Sequence, residues 1–117
     1  MTDNTIFIFR GDNKTVRLTV YQSDGETVYN LANCTVTMYI KKKASDHNDE
    51  AILTNTGTVT QAANGKVEFY FVPADTTEHD ELKDAKPYFY NVLVKNSGYA
   101  PAKYYTAVKA RFVIFQP

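Results

Sequence analysis

The chain has no tryptophan, one cysteine, two histidines and five glycines, and its 13 basic residues balance 13 acidic ones. Each shortage closes off a class. A lone Cys34 cannot form an intramolecular disulfide, so a disulfide-stapled secreted scaffold is excluded. Its place in an apolar alternation predicts a buried structural thiol. Zero net charge leaves no global field to draw in nucleic acid or anionic lipid. No apolar run approaches the about 18 residues of a membrane helix. The start Met1-Thr2-Asp3-Asn4 lacks the basic and apolar regions of a secretory leader, so neither a leader nor a membrane span is expected.

Reactive constellations are scarce as well. His47 and His79 each sit among acids, without the spaced partners of a zinc site, and read as solvated loop residues. Asp46, Asp49 and Glu50 do not follow the donor order of an EF-hand. No glycine-rich loop precedes a helix, and no serine sits in a nucleophile elbow. The expectation is a protein that is not an enzyme and that carries no metal and no cofactor.

What is present is alternation. At 117 residues the chain makes one domain with a proper core, and nine Tyr and seven Phe favour strands. Val67, Phe69 and Phe71 alternate with Glu68 and Tyr70 over Lys66–Val72. Over Pro87–Lys95, Tyr88, Tyr90, Val92 and Val94 alternate with Phe89, Asn91 and Leu93. Period two marks a pleated strand, and large side chains on both faces mark the second run as a central one.

Further strands are expected at Thr5–Phe9, Lys14–Tyr21, Cys34–Lys42, Ala51–Asn55, Thr58–Gln61 and Thr106–Phe115, with a brief extended piece at Thr27–Leu31. The last strand is expected to bury Val108, Ala110, Phe112 and Ile114. Turns are expected at Arg10–Asn13, Asp24-Gly25, Asn64-Gly65 and Asn96–Gly98. Arg10-Gly11-Asp12, although it spells an adhesion tripeptide, has an adequate role as a turn. Lys41–Glu50 reads as a mobile charged loop. Pro73–Leu82 reads as one helical turn that crosses between sheets, anchored by Leu82. Seven or eight short strands with regular turns predict an all-β, immunoglobulin-like antiparallel sandwich.

The candidate contact surface is the aromatic loop Tyr99–Tyr105, with Tyr99, Tyr104 and Tyr105, together with Lys41, Lys42 and Lys43 at a strand end. Tyrosine offers large amphipathic area at low entropy cost. Tyr88 and Tyr90 are expected in the core.

Several runs together resemble one family. Gly11-Asp12 leads into Val16-Arg17-Leu18-Thr19-Val20. Asp24-Gly25 and Leu31 precede Cys34-Thr35-Val36-Thr37-Met38-Tyr39-Ile40. Gly65-Lys66-Val67-Glu68-Phe69, Pro73-Ala74-Asp75-Thr76 and Tyr88-Phe89-Tyr90-Asn91-Val92 follow. This pattern resembles the immunoglobulin-like N-terminal domain of baseplate upper proteins from tailed phages of Gram-positive bacteria. Ala85-Lys86-Pro87 and Ala110 stand where the family usually has glycines. The resemblance implies a virion tail or baseplate component that assembles through protein–protein contacts with other virion proteins or with its own copies. It implies neither nucleic-acid nor membrane binding. It leaves open a stand-alone module or the first domain of a longer chain. The alternative is a carbohydrate-binding or adhesive immunoglobulin-like module of a bacterial surface protein.

Overall fold

A computed structural model of the chain describes residues 5–43, 45–77 and 87–115. The strands run in order: β1 (Ile6–Phe9), β2 (Lys14–Thr19), β3 (Cys34–Lys41), β4 (Leu53–Thr56), β5 (Thr58–Gln61) and β6 (Lys66–Phe71). One helical turn, α1 (Pro73–Thr77), precedes β7 (Pro87–Asn96) and β8 (Lys103–Phe115). They form a five-stranded sheet, β1-β8-β7-β3-β4, and a three-stranded sheet, β2-β6-β5. All pairings are antiparallel except β1 on β8, which is parallel. The fold is the all-β, immunoglobulin-like sandwich that the alternation predicts.

The centre of the large sheet is β7, between β3 and β8. Its Tyr88, Tyr90, Val92 and Val94 are buried against the small sheet. They pack with Val36, Met38 and Ile40 of β3, Val67, Phe69 and Phe71 of β6, and Phe112 and Ile114 of β8. Phe71 and Phe112 bring the two sheets together, their rings 5.5 Å apart and tilted by 50°.

Two glycines fix how the chain moves between layers. Gly57 is the single residue between β4 in the large sheet and β5 in the small one, and its N–H donates to the Val36 carbonyl at 2.8 Å. A Cβ there would lie 2.6 Å from Val67 Cγ2 and 2.9 Å from Phe69 Cε1, so only glycine lets the crossing lie on the core. Gly65 ends the short 3-10 turn Ala62–Asn64 with φ of +67°, and a Cβ would stand 2.7 Å from the Val20 carbonyl oxygen. The Asn64-Gly65 hairpin is therefore present, built on a 3-10 turn with a register shift beyond Val59.

Several expectations change. The brief extended piece expected at Thr27–Leu31 forms no named strand. One bridge, Val28 to Tyr21, and backbone bonds from Tyr29 to Val20 and from Leu31 to Ala62 hold it, with Leu31 buried beneath. Cys34 is half-buried at the start of β3, where the alternation has not yet reached the core. Tyr104 and Tyr105 belong to β8, because the strand already begins at Lys103. Val92 faces Val108 but Leu93 faces Thr106, so Ala107 is a bulge residue. The bulge reverses the alternation, and Tyr105 joins Val108 and Ala110 on the inner face. Phe112 and Ile114 are fully buried, whereas Val108 and Ala110 are half-buried against the core.

In the described part of the expected loop a 3-10 turn forms at Asn48–Glu50, and Lys41 itself lies in β3. The expected helical turn is present at Pro73–Thr77. Asp75 accepts the Val72 N–H at 2.8 Å, and the chain then passes from the small sheet to the large one. Leu82, its expected anchor, and His79 lie outside the described residues. Among the described residues no helix is long and apolar enough to cross a membrane.

Candidate functional site

The six residues expected to share a contact surface are divided by the sheet register. Tyr104 lies opposite Lys95, whereas Lys41 lies opposite Phe89. Six residue steps along β7 part those rows, about 20 Å at strand rise. The tyrosines and the lysines therefore occupy opposite ends of the large sheet.

At the tyrosine end, Tyr104 is 63% exposed. Tyr99 is exposed too, but Lys103 Nζ sits 4.1 Å from its ring centroid and covers one face. Tyr105 is half-buried and stacked on Tyr29. Burial, with the Asp24 charge and Tyr29 adding to it, raises its hydroxyl above the usual tyrosine range. The nearby Cys34 thiol points at the Ala32 carbonyl at 3.5 Å, and burial pushes its pKa up, so it is a poor nucleophile.

At the other end, Lys42 and Lys43 are exposed and Lys41 is buried. The loop after β3 folds back over the outer face of the large sheet. Lys41 Nζ donates to the Asp46 carbonyl at 2.8 Å, Asp46 Oδ2 accepts the Lys43 N–H at 3.2 Å, and Glu50 Oε1 accepts the His47 N–H at 3.0 Å. Beneath the loop lies a cavity of about 560 Å³. Its floor follows from register. Lys41, Phe89 and Arg111 form one row across three strands, and Asn91 and Lys109 belong to the next. Burial, then the charge of Lys109, lowers the Lys41 pKa, against the opposing pull of Asp46, Glu50 and Asp49. His47 lines the cavity and is exposed.

A third feature escaped the sequence reading. Phe7 and Phe9 of β1 and Phe115 of β8 lie together on the outer face at the sheet edge. Phe115 is 5.8 Å from Phe7 and 5.6 Å from Phe9, centroid to centroid, and all three rings are exposed. The signal was the Ile6-Phe7-Ile8-Phe9 alternation, with large apolar groups on both faces of an edge strand. What it could not give was the parallel register that sets Phe115 beside them. A cavity of about 290 Å³, lined also by Asp12, Asn13 and Lys14, adjoins these rings.

Among the described residues no group of three or more His, Cys, Asp or Glu side chains could hold a metal ion. No protein-family model matches this chain, and no curated protein sequence matches it either.

Proposed function

We propose that the chain is a non-enzymatic structural or accessory protein of a phage virion, a tail or baseplate component that works as an assembly module through protein–protein contacts. The observation that carries the assembly role is the exposed trio Phe7, Phe9 and Phe115 on an edge strand. Three adjoining aromatic rings left in water, beside a strand edge that no described strand pairs, favour a partner that covers both. The virion setting comes from the resemblance of the strand and turn pattern to baseplate upper proteins. The partner is another virion protein or a second copy of this chain.

Light scattering behind a sizing column tests self-assembly. A closed trimer or hexamer that dissociates when Phe7→Ser and Phe115→Ser are combined supports it, since virion parts are built on symmetry. Antibody labelling of purified particles tests the setting. A wild-type monomer at high concentration, together with unlabelled particles, would sink the reading.

A further inference from the structure

We propose that the cavity beneath the 42–50 loop binds a small organic anion, its carboxylate or phosphate head held by Lys41, Lys109 and Arg111 and its apolar body lying on Phe89. The site stands apart from the phenylalanine edge, so it can fail while the assembly role holds.

Cations from two distant stretches, Lys41 of β3 and the pair Lys109 and Arg111 of β8, reach one cavity because β7 lies between the two strands in register. None of the three is in an ion pair with a carboxylate of the described residues, where Arg17 with Glu68 at 3.7 Å is the pair that forms. Lys41 is the informative one. It is 6% exposed, and its polar contact is one neutral carbonyl, that of Asp46. An ammonium has three protons to donate, and holding it largely out of water with no carboxylate of the described residues in contact, Asp46, Glu50 and Asp49 acting on it only from a distance, is costly. An anion entering beside it would recover that cost and screen Lys41 from Lys109.

Among the described residues the nearest acids make no ion pair with Lys41. The carboxylates of Asp46 and Glu50 are engaged by backbone N–H groups of the loop itself, at Lys43 and His47. Asp49 is exposed and does not line the cavity. The acids build the roof, and the cations face inward from the floor. The volume of about 560 Å³ falls within the range of small-ligand sites. Arg111 supplies a planar fork suited to a carboxylate or phosphate, Phe89 supplies an apolar wall, and the buried Asn91 supplies an amide for orientation.

Calorimetric titration of the whole chain at low salt, with benzoate, phenyl phosphate and the neutral benzamide, tests this. Saturable binding of an anion, absent with benzamide and weakened at least about tenfold by Arg111→Gln and by Lys41→Met, is the expected result. Arg111 is exposed, so its variant keeps the fold if the Lys41 variant does not. Tighter binding of benzoate or of phenyl phosphate identifies the head group. Amide shifts clustered at Phe89, Asn91, Lys109 and Arg111 place the ligand. Binding of neither anion, equal binding of benzamide, or anion binding indifferent to Arg111→Gln overturns the proposal.

Discussion

Tyr105 lies flat on Tyr29, ring centroids 5.4 Å apart and planes within 8°, and its hydroxyl donates to the Tyr21 carbonyl at 2.7 Å. One side chain from β8 thus fastens the turn region after β2 to the large sheet. Tyr105→Phe should cost about 1 kcal/mol through the lost hydrogen bond. Tyr105→Ala should cost more, because the aromatic pair adds about 0.5–1.5 kcal/mol. Urea melts check both values. Folding holds the Tyr105 hydroxyl protonated above its ordinary 10.0, with burial as the leading cause. The unfolded chain therefore loses that proton first, and stability falls as pH rises past 10.0. Tyr105→Phe should lack that share of the alkaline decline.

Gly57→Ala should destabilise by about 1–3 kcal/mol, since its methyl would meet Val67 and Phe69 in a filled core. Comparison with Gly25→Ala in denaturant separates two causes. Gly25 has φ of +73° and open space around it, so its substitution reports backbone strain alone.

Phe112→Ala should cost about 3–5 kcal/mol, because the side chain is fully buried against Phe71. Phe115→Ala, three residues along the same strand on the outer face, should cost under about 1.5 kcal/mol. A loss under about 1 kcal/mol for Phe112→Ala would reverse the assignment of the inner face.

Lys41→Met should flatten the pH dependence of stability on the alkaline side. Burial and Lys109 lower the Lys41 pKa below 10.5, while Asp46, Glu50 and Asp49 pull the other way. The folded protein gives up this proton before the unfolded chain does. Between the folded value and 10.5 the unfolded chain binds more protons, so stability from this group rises with pH. Urea midpoints from neutral pH towards 10.5 should show that rise in the wild type and its absence in the variant.

The sequence by itself determined the strands, because a pleated strand forces its neighbours onto opposite faces and the core sorts them by hydropathy. Val67, Phe69 and Phe71 in one run, and Tyr88 to Val94 in another, could be satisfied only by a sheet buried on at least one side. Gly57 and Gly65 marked the turns, since backbone constraints act within a few residues. Tertiary structure decided what depends on partners distant in the chain. The bulge at Ala107 moved Tyr105 inward, and alternation alone carries no mark of it. Lys41 looked like one of three surface lysines and is instead roofed by its own loop. Phe115 met Phe7 and Phe9 through a parallel register spanning most of the chain. Alternation is local and can be read from neighbours, whereas register and loop closure are set by the packing of the whole sandwich.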